Sequence, residues 1–484
     1  MRTGSASTPP NILVILTDQQ RQFRHWPQGW AEQHLRSFQR LAKTGLTFER
    51  AFTNTCMCSP SRATLWTSLF PAQTGVQSTG SQPLGTGFTT LAQVMTSAGY
   101  QVGYRGKWHL GDSSDDMPTA LGFGPWDPPD AGTSLSPGNT QGAGAYNNDA
   151  RYLGTVAGSS EKPTGTGPSM IDFLRTVDPS KPFCLVASFV NPHDVYVAPF
   201  QYGPAGYDPK DWEDLPIQPP ASWNEDLSTK PSVQAWFQGS GKNWNVPQWS
   251  DADRTSYARF YAYLQMLVDR DIMTLLDTLE SCGFTENTVI FRLADHGEMA
   301  MSHGLVEKTF NAYDETVNVP LIVSNPGLFP TPLVTKELAG HIDLLPTLAS
   351  VAGVLDKYTG QFKGIDLSPL FTAPDAPRQE SIHFTFDDVA LAQGMPATTP
   401  GHIRALRSKD WLYAAYFTET GSAFEYELYD LTQDPDELTN LAAPRNITPD
   451  SRKQLVKMNH DLIRKMQASG TTPSGFAWPT EPAV

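Results

Sequence analysis

Asn11–Asp18 reads NILVILTD, a short apolar and β-branched run closed by two polar residues. Such a run predicts a strand covered on both faces. Similar runs recur at Phe183–Val190 (FCLVASFV), Thr288–Leu293 (TVIFRL) and Pro320–Val323 (PLIV), with another strand expected near Tyr100–Tyr104. Helical patterns lie between them. Leu35, Phe38, Leu41 and Ala42 share a face that ends at Gly45, and Leu91, Val94, Met95 and Ala98 share one before Gly99. Thr255–Cys282 is a long amphipathic segment stopped by Gly283. Strands alternating with helices imply an α/β fold: a large, mostly parallel sheet between helical layers.

Two stretches break the rhythm. Gly111–Ser169 is rich in Gly, Pro, Ser and Thr, and Ala198–Ser250 in Pro and Trp. Long loops inside a compact domain are usually functional or mobile. Beyond about Ala373, four short strands (His383–Phe386, Ile403–Arg407, Trp411–Phe417, Glu425–Tyr429) and a closing helix, Pro449–Ala468, are expected. The division that follows is a flexible N-terminus at 1–10, a catalytic α/β domain at 11–373 and a small C-terminal antiparallel-sheet plus helix domain at 374–484.

The 484-residue chain carries 50 Asp+Glu against 35 Lys+Arg, a formal net charge of -15. Nucleic acid is excluded as a partner, because it needs a basic face. An anionic substrate must be drawn by a local cluster of bases. No apolar run reaches the roughly 18 residues of a membrane helix, and MRTGSASTPP lacks the pattern of a secretory signal. A cytoplasmic enzyme without a membrane partner is expected. The four cysteines make no disulfide framework, and Cys184 and Cys282 read as buried thiols.

Ligands of open α/β sheets bind beyond the carboxyl ends of the strands. There the first strand delivers Asp18-Gln19, and FCLVASFV runs into Asn191-Pro192-His193. TVIFRL runs into Asp295-His296, and Tyr100–Tyr104 leads to Lys107 and His109. Singly, each has a bland explanation as a helix cap or a satisfied histidine. Together they indicate one site. Asp18, Asp295 and His296, with the carbonyl of Gln19, suit a hard or borderline divalent cation. Lys107, Arg62 and Lys308 are fixed charges able to grip a tetrahedral oxyanion, and His109 and His193 can move protons. Cleavage of a sulfate or phosphate ester fits this set.

The remaining motif is CMCSPSRATLWTS, Cys56–Ser68. With Ser59 as N-cap and Pro60 in the first turn, Cys58 stands at a helix N-terminus, where anions are favoured. A thiolate nucleophile, a buried structural thiol and part of a soft metal site all remain open at this point.

C-S-P-S-R at Cys58–Arg62 resembles the Cys-x-Pro-Ser-Arg signature of the type I sulfatases, in the alkaline phosphatase superfamily. The resemblance continues in order through GKWHLG at Gly106–Gly111, NPH at Asn191–His193, DHGE at Asp295–Glu298 and Lys308. It extends to HIDLLPTL at His341–Leu348 and ELYDLTQDPDELTNL at Glu427–Leu441. It implies an alkaline-phosphatase-like fold and oxidation of Cys58 to formylglycine by a formylglycine-generating enzyme. It also implies one divalent metal on Asp18, Gln19, Asp295, His296 and the modified Cys58. Arg62 and Lys107 would then stabilise the diol and bound oxyanion, and His109 would help break the hemiacetal. His193, with Lys308, would face the leaving group as general acid. Cys56 matches no family residue, and an apolar role is expected.

Asp18-Gln19 and Asp295-His296 depart from the commoner paired acids and Asp-Asn, and are more similar to the choline-sulfatase and phosphonate monoester hydrolase branches. Imidazole in place of oxygen softens the site, so manganese stands beside the favoured calcium. The leading expectation is a sulfuric ester hydrolase acting on a small aryl or alkyl sulfate. The alternatives are a phosphodiester or phosphonate monoester hydrolase, a choline-sulfatase-like enzyme and, from another class, a silent anion-binding protein. The substrate end is expected in the inserted loops, with Trp126, Tyr146, Tyr196, Trp223, Trp236, Trp244 and Trp249. A closed homo-oligomer is a reasonable prior.

Overall fold

The computed structural model describes residues 9–79, 82–111, 117–124, 126, 149–155, 169–203, 205–240, 245–388 and 394–484. The strands in chain order are β1 (Asn11–Asp18), β2 (Gly45–Phe48), β3 (Ala51–Phe52), β4 (Gln101–Gly106), β5 (Phe183–Pro192), β6 (Thr288–Ala294), β7 (Leu321–Ser324), β8 (Leu333–Thr335) and β9 (Ala339–Gly340). Beyond these come β10 (Ser381–Phe386), β11 (His402–Ser408), β12 (Trp411–Phe417) and β13 (Phe424–Asp430). Seven of them build the main sheet in the order β4-β5-β1-β6-β7-β2-β8. The four strands β4, β5, β1 and β6 run parallel, and β7 is antiparallel to both β6 and β2.

The eight residues of β1 are all buried, and the period of two divides them between two cores. Ile12, Val14 and Leu16 face the layer that holds Ala63, Leu65 and Trp66 of the helix Cys58–Thr67. Leu13 and Ile15 face Ala258, Ala262 and Ile272 of the helix Asp251–Ser281. Burial of each such side chain is worth about 1.5–3 kcal/mol, which is why both faces are apolar. The long helix starts four residues before the amphipathic pattern does, because Ser250 and Asp253 cap it reciprocally. Two short strands carry no such signal of their own and are held by pairing: β2 between β7 and β8, and β8 at the sheet edge. Cys184 is buried in β5, whereas Cys282, at the end of the long helix, is only half-buried, contrary to expectation.

The strands β10–β13 form a separate antiparallel sheet in sequence order. Leu412, Ala414 and Tyr416 of β12 face a core shared with Phe52, Met57 and Phe310. Tyr413 and Ala415 face the helix Pro449–Ser469 through Leu455 and Leu462. Among the described residues no helix is long and apolar enough to cross a membrane.

Candidate active site

Parallel neighbours end on one edge, and register brings their exits together. Thr17 pairs with Ala294, Asp18 with Pro192, and Gly106 with Ser188. The next residue along β6, Asp295, donates its N–H to the Thr17 carbonyl at 3.0 Å. Asp18, Lys107, His193, Asp295 and His296 therefore leave adjacent strands within a few residues of one another. Gly106 has φ +97, and a Cβ there would lie 1.8 Å from the Ser188 carbonyl oxygen. Only glycine lets β4 turn out at this point and hand over Lys107.

The helix Cys58–Thr67 begins at Cys58 itself, with Met57 in the cap position. The expected Ser59 cap is therefore not formed. Every residue of this helix is buried, so its start faces the strand exits rather than solvent. The Cys58 sulfur lies 3.1 Å from His296 Nε2, 3.7 Å from Asp18 Oδ1 and 4.0 Å from Lys107 Nζ. Donor atoms of Asp18, Cys58, Asp295 and His296 all fall within 4.8 Å of one another, and all four residues are buried.

Arg62 ties this set together from beneath. Its Nε donates to Asp295 Oδ2 at 2.9 Å and Nη2 to Asp18 Oδ2 at 3.0 Å. Nη1 donates to the Lys107 carbonyl at 2.6 Å and to the Ser188 hydroxyl at 2.9 Å. Lys107 Nζ sits 2.6 Å from Asp18 Oδ2. Burial opposes ionisation of Asp18, yet Lys107, His193 and Arg62 hold its carboxyl well below the usual range. Burial and the adjacent charge of Asp18 raise Asp295 instead. His296 Nδ1 lies 3.0 Å from the Gly297 carbonyl; a proton there directs Nε2 as a lone pair into the cluster. Against burial, Asp295 and Cys58 raise this imidazole to about 9. A nitrogen so surrounded by acceptors calls for positive charge, and two carboxylates with an imidazole fit one hard-to-borderline divalent cation.

Lys308 donates to Gln19 Oε1 at 2.6 Å and to Glu307 Oε2 at 2.9 Å. The main-chain carbonyl of Gln19 accepts from the Tyr261 hydroxyl at 2.8 Å, and its N–H donates to Asp295 Oδ1 at 3.1 Å. Gln19 thus links the ligand set to Lys308, with its backbone carbonyl engaged by Tyr261. His109 is buried and His193 half-buried; burial and then Lys107 push both imidazoles well below the ordinary value. Tyr196 stacks on His193 at 6.3 Å.

Sequence reasoning passed over Ser188, the polar residue inside FCLVASFV, and Ser61, whose hydroxyl donates to the Asp295 carbonyl at 2.5 Å and meets His341 Nδ1 at 3.2 Å. Glu298 was visible only as the end of DHGE; its carboxylate takes Tyr257, the Gln19 amide and the Glu307 N–H. Of the expected substrate-end aromatics, Trp126 and Trp249 are core residues, 1% and 4% exposed. Trp126 Nε1 donates to the Gly106 carbonyl at 3.1 Å, so it supports the strand exit rather than a ligand. Trp236 packs edge-on against Phe310 and Trp223 lies under Arg254. Tyr146 and Trp244 lie outside the described residues. Cys56 is buried in the apolar cluster shared with the C-terminal sheet, and burial raises its thiol well above the usual range, as an apolar role requires.

Residues 10–354 match the family model described as Sulfatase, and residues 301–467 the one described as N-sulphoglucosamine sulphohydrolase, C-terminal. The chain belongs to the sulfatase family. It is 26% identical to the Delta 4,5-hexuronate-2-O-sulfatase of Bacteroides thetaiotaomicron, over 91% of this chain and 86% of that protein. It is 27% identical to the choline-sulfatase of Rhizobium meliloti, over 91% and 83%. The phosphonate monoester hydrolase of Agrobacterium radiobacter superposes with a TM-score of 0.70 at 23% identity, covering 95% of this chain and 96% of that one, and shares its fold. This sulfatase therefore builds its site on an alkaline-phosphatase-like sheet.

Proposed function

We propose that the sulfatase hydrolyses an organic sulfate ester through formylglycine formed from Cys58 by a formylglycine-generating enzyme. The observation that carries this is the convergence of Asp18, Asp295, His296 and Lys107 on the Cys58 side chain, at the buried start of a helix. A divalent cation, calcium favoured and manganese next, would be held by Asp18, Asp295, His296 and the oxygen at position 58, and supplies Lewis-acid polarisation of the sulfuryl oxygens. The Oε1 atom of Gln19 stands beside this set and can join it if Lys308 turns to the substrate.

Because the Arg62 guanidinium directs its hydrogen bonds to Asp18, Asp295, the Lys107 carbonyl and the hydroxyls of Ser188 and Tyr104, its part is to orient Asp18 and Asp295. The direct grip on the sulfate oxygens then passes to Lys107 and Lys308. In the aldehyde hydrate, one hydroxyl passes its proton to the Asp295 carboxylate, whose proton affinity burial and Asp18 raise, and its oxygen attacks sulfur as the ester O–S bond breaks, with the leaving oxygen taking a proton from His193. His193 is neutral at rest, since burial and Lys107 depress it; the anionic substrate beside it restores basicity. The second hydroxyl then loses its proton to His109 and expels sulfate as the C–O bond breaks, which returns the aldehyde. A thiolate or a serine alkoxide has no second hydroxyl and would retain its sulfate.

His296 in the ligand set favours a second reading. Imidazole in place of an oxygen ligand softens the site, and Gln19 in place of a second acid lowers the negative charge facing the substrate, which suits phosphodiesters and phosphonate monoesters as well as sulfates. The named relatives act on a hexuronate 2-O-sulfate and a choline sulfate, so sugar and choline sulfates join aryl sulfates as candidates. Trp126 and Trp249 lie in the core and offer no face to an aryl leaving group.

The test is intact mass with kinetics. Conversion of the thiol to the aldehyde lowers the mass by about 18 Da. The mature enzyme should show that loss, Cys58→Ala should abolish turnover, and kcat/KM should be higher for sulfates than for a phosphodiester of the same alcohol. Full turnover by Cys58→Ala would refute the nucleophile. A higher kcat/KM on the phosphodiester would transfer the assignment to the second reading.

A further inference from the structure

Away from the active site, a second group of buried donors comes together on the far side of the Lys308 loop. One ring nitrogen of His303 and one carboxylate oxygen each of Glu315 and Glu437 lie within 4.8 Å of one another. The three residues are 1%, 1% and 0% exposed. One oxygen of each carboxylate, Glu315 Oε2 and Glu437 Oε1, is buried with no hydrogen-bond partner. The other oxygen of each carboxylate is engaged: Glu315 Oε1 meets His25 Nε2 at 2.6 Å, and Glu437 Oε2 accepts the Asp314 N–H at 3.0 Å. Bare carboxylate oxygens in a dry interior are costly unless a proton or a cation lies against them.

The imidazole is held for the same purpose. Its Nδ1 pairs with Glu225, and its ring is stacked on Tyr313, 4.0 Å away and tilted by 11°. A carboxylate on one nitrogen fixes the tautomer and makes the other nitrogen, Nε2, a better ligand, the arrangement usual behind metal-binding histidines. Arg24 and Arg407 act on these carboxylates electrostatically, but their ion pairs are made with Asp314, and that of Lys230 with Glu225, so none of them bonds the two bare oxygens.

We propose that His303 Nε2, Glu315 Oε2 and Glu437 Oε1 bind a structural divalent cation of borderline character, zinc or manganese. A nitrogen with two carboxylate oxygens suits those ions, at bond lengths of roughly 2.0–2.2 Å. The site joins two parts of the molecule. His303 and Glu315 flank the loop that presents Glu307 and Lys308, and Glu437 follows β13 of the C-terminal sheet. A cation here pins the Lys308 loop to that sheet.

The full-length Asp295→Asn/His296→Ala protein removes the catalytic ligands, so that its metal content reports this site alone. Stripped of metal and titrated with zinc and then manganese, it should bind about one equivalent of one of them. At about 100 times Kd, its folded-to-unfolded ratio should rise about 100-fold. Adding Glu437→Gln, which keeps the side-chain shape, or His303→Ala should abolish both the equivalent and the shift. No stoichiometric binding by the double variant would overturn the proposal. So would binding undiminished by both Glu437→Gln and His303→Ala. Failure of the catalytic-metal reading looks different: wild type and the double variant would then bind the same single equivalent.

Discussion

At position 58 the side chain meets Asp18, Lys107, Asp295 and His296, and His193 follows the neighbouring strand β5. His193 is the one whose role depends on the substrate. A general acid matters in proportion to the basicity of the departing oxygen. His193→Ala should cost about 10²–10⁴-fold in kcat with an alkyl or sugar sulfate. With a nitrophenyl sulfate, whose leaving oxygen needs no proton, the loss should stay under about tenfold. Equal losses on both esters would assign His193 to binding instead. Arg62 makes a complementary case. Its guanidinium bridges both carboxylates, and a lysine can reach only one of them with a single ammonium. Arg62→Lys should lower metal occupancy and rate together, and metal analysis beside kinetics checks this. These residue types were legible in the sequence because strand exits advertise them. The direction of Arg62 was not, since it depends on Ser188 and the Lys107 carbonyl, neither of which carries a local signal.

At the scale of elements, the buried strands were legible because β1, β5 and β6 are apolar through both faces and end in polar residues. The short strands β2 and β8 were not, because four- and three-residue segments owe their conformation to pairing rather than pattern. The expected start of the Cys58 helix lies two residues too late. Ser59 is a good cap in isolation, but Met57 takes the cap position where the helix abuts β1 and β6. The antiparallel C-terminal strands alternate between two cores and were found nearly to the residue. Their pairing carries a pH-sensitive contact. Asp387 follows β10, and against burial, Arg404 at 2.9 Å and His402 at 2.9 Å hold its carboxyl down to about 2. A depressed carboxyl stabilises the fold above its unfolded value near 3.8 and loses that contribution as pH falls toward about 2. The shift corresponds to about 2 kcal/mol. Asp387→Asn should therefore be less stable than wild type at pH 6 and approach it near pH 2–3, as urea melts across that range would read. A deficit that does not change with pH would mean that packing, not charge, is lost.

Across the whole molecule, the two sheets behave as one body in the interior. Phe52 and Met57, on either side of the approach to Cys58, share a core with Phe384, Ile403 and Tyr416 of the C-terminal sheet. Asn54 donates to the His383 carbonyl at 3.0 Å, and Thr385 donates its N–H to the Asn54 carbonyl at 2.9 Å. Arg407 of β11 forks onto Asp314 at 2.9 and 3.0 Å. The C-terminal sheet is therefore the wall behind the catalytic loop, not an appendage. Unfolding that sheet alone would strip apolar cover from Met57 and leave the Asp314 carboxylate buried without Arg407. Arg407→Ala removes two charge-assisted hydrogen bonds and leaves Asp314 to Arg24 alone, at a cost of about 1.5–3 kcal/mol, and Phe384→Ala should cost about 3–5 kcal/mol through the cavity it leaves. Both variants should shift a single transition, in which loss of sulfatase activity and loss of near-ultraviolet ellipticity coincide. If Phe384→Ala instead splits the melt, with activity surviving the first step, the two sheets fold independently and the catalytic loop does not need its wall.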